Sequence, residues 1–208
     1  MGNPYLLRGG HSMKAIKYPV VEIFTSIQGE GTHMGLPAAF IRLAGCNLRC
    51  RWCDTVHAFD PANATYLTPD EIATGLAPQL VVITGGEPTL HDLGPLVAAL
   101  HARGKYVAIE TNGTNPIPEK WGIDWVTASP KPNSGYLLAC QADELKYVVD
   151  DEFTLDCVAD DAVPPGRIFL QVESARPESA KKAFALVMEN PERGLRLGIQ
   201  LHKILGVD

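Results

Sequence analysis

Cys46, Cys50 and Cys53 fall within one short run, Gly45-Cys46-Asn47-Leu48-Arg49-Cys50-Arg51-Trp52-Cys53-Asp54. The spacing C-x3-C-x2-C puts three thiolates on a single loop, where they can ligate three corners of an iron–sulfur cubane. Such clusters usually take four cysteine ligands, and no fourth lies nearby, so one iron stays open to bind something else. Two other readings use the same residues. A structural zinc site would add His57 as a fourth ligand, although sites of that kind more often split their ligands into two pairs on separate loops. A ferredoxin would need Cys140 or Cys157 brought in by long-range folding, yet both sit among apolar residues and read as small buried hydrophobes.

The elements that must hold this loop are visible as apolar runs. Strands are expected at Val20 to Thr25, Phe40 to Leu43, Leu80 to Thr84, Tyr106 to Glu110, Trp125 to Ala128, Leu145 to Val149, Ile168 to Val172 and Leu195 to Ile199. Most are apolar on both faces, as buried parallel strands are. Helix signals lie between them. Thr68-Pro69-Asp70-Glu71 combines an N-cap, a first-turn proline and a capping-box glutamate, Leu93 to Arg103 stops at Gly104, and Pro177 to Met188 ends before Pro191. Alternating strands and helices imply βαβ units around a parallel sheet. A closed eight-unit barrel takes about 250 residues. The 208 residues here fit a partial, open TIM-like barrel of about six βα units with reduced helix content. Polar groups gather where strands end, at Gly85-Gly86-Glu87-Pro88, Thr111-Asn112-Gly113 and Ser129-Pro130-Lys131, the edge at which parallel α/β folds place ligands.

Composition narrows the class. A net charge of −6 argues against a phosphate-binding surface and so against a nucleic-acid partner. The chain lacks a run of about 20 apolar residues and a secretory signal, so no membrane association and a cytoplasmic location are expected. Residues 1–12 have no periodicity and precede a second methionine, Met13; they read as a vector scar, an alternative start or a disordered N-terminus, leaving 13–208 as a single domain.

With the cysteine loop upstream of Gly85-Gly86-Glu87-Pro88, the chain resembles the radical S-adenosylmethionine (SAM) superfamily. The runs Glu22-Ile23-Phe24-Thr25-Ser26-Ile27-Gln28-Gly29-Glu30-Gly31 and Cys53-Asp54-Thr55-Val56-His57 narrow this to a close resemblance to the 7-carboxy-7-deazaguanine synthase family. So do Thr84 to Pro88, Glu110 to Gly113, Asp143 to Lys146 and Gln200 to Lys203. The resemblance implies a [4Fe-4S] cluster on Cys46, Cys50 and Cys53, with SAM against Trp52, Cys53, Asp54, Gly86, Glu87, Ser129, Pro130 and Lys131. It implies magnesium on Thr55, and substrate contacts from Ile27, Gln28, Gly29, Arg42 and Thr84. The implied reaction is a lyase ring contraction in queuosine biosynthesis. In it 6-carboxy-5,6,7,8-tetrahydropterin becomes 7-carboxy-7-deazaguanine with loss of ammonia, a 5′-deoxyadenosyl radical takes the C6 hydrogen, and SAM is regenerated. An electron donor such as flavodoxin and a homodimer are implied partners. Activases of glycyl-radical enzymes share the cysteine spacing but do not match Ser26 to Gly31.

Chemistry adds to this list. Arg42 offers a carboxylated pterin a bidentate partner, Gln28 an amide with donors and an acceptor, and Glu30 an acceptor for an amino group. If the last strand runs with the others, Gln200, His202 and Lys203 emerge at the same mouth. His202 and Asp208 are then candidate pterin contacts, against the alternative of a frayed tail.

Overall fold

The computed structural model describes residues 16–207 apart from 132–134 and 136. The expectations for residues 1–12 and for Asp208 lie outside the described residues. The strands are β1 (Tyr18–Ile27), β2 (Pro37–Leu43), β3 (Thr65–Leu67), β4 (Leu80–Gly85), β5 (Tyr106–Thr111), β6 (Trp125–Ala128), β7 (Glu144–Val149), β8 (Ile168–Val172) and β9 (Leu195–Gly198). The helices are α1 (Pro69–Ala73), α2 (Gly94–His101), α3 (Pro177–Glu189) and α4 (Leu201–Leu205). All nine strands form one sheet in the order β3-β1-β2-β4-β5-β6-β7-β8-β9. From β2 through β4 to β9 every neighbouring pair is parallel. The sheet ends on β3 and β9 without closing, which makes it a partial TIM-like barrel.

All eight expected strands are present. The parallel rule fails for β1, which pairs antiparallel with both β2 and β3. The loop from Gln28 to Leu36 is too short for a crossover, which needs about a dozen residues, so β1 and β2 form a hairpin. β3 and α4 escape sequence reading because three and five residues are too few to show a period. Helix content is low, as expected. The link from β5 to β6 carries only a short 3-10 turn at Glu119–Trp121. The capping box forms in both directions between Thr68 and Glu71.

Alternation along the strands divides the sheet into two faces. Ile41, Ile83, Val107 and Ile109 pack outward against Ile72 of α1 and Leu96 and Leu100 of α2. Leu145, Tyr147 and Leu170 pack against Ala183 of α3. The inner face is apolar at its base, where Ala38, Leu80, Val82 and Ala108 meet Phe40, Tyr106 and Trp125. Nearer the carboxyl ends it turns polar at Arg42, Thr84, Glu110, Lys146 and Gln171, all of which border one cavity.

Candidate active site

The cysteine loop leaves β2 at Leu43 and is held by its neighbours at both ends. Gly45 N–H donates to Ala58 O (2.8 Å), and Glu87 N–H donates to Gly45 O (2.7 Å). Gly86 must be glycine, because a Cβ there would strike the carbonyl of Gly45. Asn112 Nδ2 donates to Asn47 Oδ1 (2.9 Å), tying the loop to the end of β5. Arg49 wraps back to the Cys46 and Leu48 carbonyls, each at 2.7 Å.

Cys46, Cys50 and Cys53 are free thiols that border one cavity with Trp52, Gly86, Ser129 and Lys131. Burial pushes the Cys46 and Cys50 thiols up. His57 does not join them. Its Nε2 lies 3.5 Å from Glu22 Oε1 and it borders a second cavity, so the zinc reading loses its fourth ligand. Among the described residues no three His, Cys, Asp or Glu side chains are set to hold a single ion. Cys157 donates to Thr154 O (2.8 Å), and Cys140 packs between the two main cores. Neither borders the cavity that the three cysteines share.

Glu87 follows the Gly85-Gly86 turn. Its carboxylate is buried, 1% exposed, and accepts from Thr111 Oγ1 (2.7 Å), Asn112 N (2.6 Å) and Thr89 N (3.0 Å). These bonds tie the residue after the Gly85-Gly86 turn to the end of β5, and Glu87 is not among the side chains that line the cavity. Lys131 donates to the Ser129 carbonyl and to Ser129 Oγ (2.7 Å), and lies over the Trp52 ring at 5.2 Å. Burial draws it down to about 8. Pro130 borders a further cavity with Arg51 and Phe153, which shares Cys50, Trp52 and Lys131 with the first.

The second cavity is lined by Ile27, Gln28, Gly29, Arg42, Thr84 and His202. Gln28 is less available than expected: its Nε2 donates to Glu110 Oε1 (3.2 Å) and its Oε1 accepts from Glu30 N (3.2 Å). Arg42 donates from Nε to Glu22 Oε1 at 2.5 Å and lies over the Phe24 ring. Between the cavities stands an ionic triad. Lys146 donates to Glu30 and to Glu110 Oε2 (2.6 Å), with the three side chains 10%, 13% and 18% exposed. Burial disfavours the Lys146 charge, but the two carboxylates outweigh it and hold its pKa above the usual range.

The tail is docked at Gln200 to Lys203, while Ile204, Leu205 and Val207 beyond it are exposed. Leu201 N–H donates to Gly29 O (2.9 Å), Gln200 Nε2 to Glu30 Oε1 (2.8 Å) and Lys203 Nζ to Asp54 Oδ2 (2.7 Å). A Cβ on Gly29 would collide with the His202 ring, so glycine is what admits His202. Burial opposes the Asp54 charge, yet Lys203 and Thr55 outweigh it and hold Asp54 at about 2. A depressed carboxylate stabilises above its unfolded value and loses that contribution as pH falls through the folded one. Lys203→Ala is therefore expected to speed hydrogen exchange at the Leu201 amide about fivefold at neutral pH, the effect of losing about 1 kcal/mol. The gap from wild type should narrow below about pH 4 and close as pH falls through about 2. Unchanged exchange would mean that the backbone bond alone pins the tail.

The Radical SAM superfamily profile matches residues 40–123. The 7-carboxy-7-deazaguanine synthase of Bacteroides thetaiotaomicron is 42% identical to this chain over 190 residues, spanning 89% of this chain and 96% of that protein. The chain belongs to the 7-carboxy-7-deazaguanine synthase family of radical SAM proteins. The family member of Synechocystis sp. is 37% identical across 92% of this chain and 94% of its own. The crystal structure of QueE from Escherichia coli matches with a TM-score of 0.72 at 30% identity, covering 89% of this chain and 95% of that one.

Radical SAM membership implies SAM and a [4Fe-4S] cluster, and the residues present fit both. Three free thiols share a cavity with the Gly85-Gly86 backbone, and beside them Gln171 is 3% exposed with both amide atoms unpartnered, a demand that a polar ligand would meet. Gln171 carried no signal beyond one polar residue in an apolar strand. Glu110 and Lys146 stood in family-like runs without an assigned role. Their parity along β5 and β7 was the available clue, since each breaks the apolar alternation on the inner face.

Proposed function

We propose that this protein converts 6-carboxy-5,6,7,8-tetrahydropterin to 7-carboxy-7-deazaguanine with release of ammonia, as a magnesium-dependent carbon–nitrogen lyase of queuosine biosynthesis. One observation carries the reading: the cysteine-lined cavity and the Gln28–His202 cavity share Glu30, Arg42, Asp54, Thr55, Thr84, Glu110, Lys146 and Gln200. A cofactor in the first and a bicyclic substrate in the second would therefore meet. The name of the relatives, 7-carboxy-7-deazaguanine synthase, supplies the product. A cluster held by Cys46, Cys50 and Cys53, with SAM beside Gly85-Gly86, would supply the radical chemistry that acts on the substrate's C6 hydrogen.

The chain's own residues do the rest. Arg42 presents its guanidinium to the substrate carboxylate. Gln28, fixed between Glu30 and Glu110, and His202, seated over Gly29, position the pterin edge. Trp52 and the Ser129–Lys131 turn flank the cofactor side, where Lys131 offers a cation to an anionic group. Thr55 Oγ1 donates to Asp54 Oδ1 (3.0 Å) and lines both cavities, so it would offer magnesium an oxygen ligand there.

The test is anaerobic reconstitution followed by SAM, reductant, magnesium and the carboxytetrahydropterin together. Deazaguanine product is expected; intact SAM cleavage without it would assign another radical SAM reaction. Thr55→Ala is expected to move the magnesium titration by about tenfold or more, the usual loss when a metal site gives up a partner, with SAM binding unchanged. A magnesium titration that matches wild type refutes the Thr55 assignment.

A further inference from the structure

The proposed conversion removes one NH3 from a bicyclic skeleton with no net oxidation, and hydrogen-atom transfer alone does not accomplish that. For the six-membered ring to shrink, the carboxylated carbon must bond to the pyrimidine and keep the extruded nitrogen as an amine. Aromatising the new ring then requires an elimination. A C–H bond on the adjacent methylene breaks and its electron pair becomes the ring double bond. The C–N bond breaks with its pair going to nitrogen, which leaves as ammonia after gaining a proton. The step needs one group to take a proton and one to give a proton, both beside the substrate.

Resting on that functional reading, we propose that Glu110 and Lys146 perform this elimination: the Glu110 carboxylate takes the methylene proton, and the Lys146 ammonium protonates the departing amine. Both side chains border both cavities, and they are already joined at 2.6 Å, so the proton collected by Glu110 can recharge Lys146 directly. Two carboxylates converge on one ammonium here, since Lys146 also donates to Glu30. One cation cannot fully compensate both, and the group can hold an extra proton at low cost. Its two acids are unequal. Burial holds the Glu110 carboxyl above the usual range against the opposing charge of Lys146, which suits a base working near neutral pH. Burial works against Glu30 too, but Lys146, Gln200 and His202 outweigh it and hold Glu30 below that range, as the fixed counter-charge. The other charged groups that act on Glu110 are Glu144 and Lys131.

The test uses reconstituted protein and substrate carrying deuterium at C6, with Glu110→Gln and Glu110→Asp beside wild type. In Glu110→Gln, label transfer to SAM is expected to fall far less than deazaguanine formation, because hydrogen-atom transfer precedes elimination. Deazaguanine formation should fall at least about 100-fold, the usual share of a general base, and the acid limb of the wild-type pH–rate profile should disappear. Glu110→Asp, which keeps a carboxyl, is expected to recover product to within about tenfold of wild type. Iron content reports folding in each. Product from Glu110→Gln at the wild-type rate overturns the step, as does a parallel loss of label transfer and product, which would make Glu110 a positioning residue. A wild-type protein that forms no deazaguanine instead overturns the functional reading itself.

Discussion

Replacing any one of Cys46, Cys50 and Cys53 with Ala is expected to take the reconstituted protein from about four iron per chain to essentially none, with loss of the visible chromophore. Three thiolates are the minimum that holds a cubane while leaving an iron open, so no ligand is redundant. His57 is turned to Glu22 on the far side and cannot substitute. Binding must also displace the protons that burial retains on Cys46 and Cys50, so with two thiolates left the remaining ligation energy is set against an unchanged cost. The fold should survive, because the loop is closed by backbone bonds from Gly45 and Glu87 and none of the three cysteines belongs to a core cluster. Cys140→Ala and Cys157→Ala are expected to keep their iron. Stoichiometric zinc with no iron chromophore would refute the assignment.

Lys146→Met is expected to destabilise the fold by about 3–5 kcal/mol at pH 7, read from denaturant midpoints of the metal-free protein. The cause is not loss of the pair's attraction but the two carboxylates left behind, 13% and 18% exposed and no longer compensated. Without the ammonium, burial raises both folded carboxyl pKa values above their unfolded ones. A raised carboxyl penalises the fold above its unfolded pKa, and the penalty is relieved as pH falls through the folded value. The deficit should therefore shrink between about pH 7 and pH 5, because two raised carboxyls are relieved in the variant whereas in wild type only Glu110 is raised. A variant as stable as wild type at pH 7, or a deficit that ignores pH, would show that water or local rearrangement solvates the carboxylates.

The hairpin of β1 and β2 shows where pattern reading stops. A strand's existence depends on residues in contact along the chain, and all eight expected strands are present. Its direction depends on what the next loop can span, and the nine residues between Ile27 and Pro37 cannot cross the sheet. Glu87 shows the same limit in a side chain. Its motif was legible, but whether its carboxylate faces the cavity or the protein depended on Thr111 and Asn112, which the β4–β5 register brings beneath it.

The sequence by itself determined the cysteine spacing, the glycine turn after β4, the parallel α/β class and the family, because each rests on residue type and on separations of a few positions. It also placed polar groups at strand ends. Only the tertiary structure decided that Lys146 meets Glu30 and Glu110, 116 and 36 positions away, that Lys203 reaches Asp54, 149 positions away, and that the two cavities are contiguous. Charges so distant along the chain meet only when packing has fixed the register of every intervening strand, and register is a collective result of the core with no local signature in the sequence.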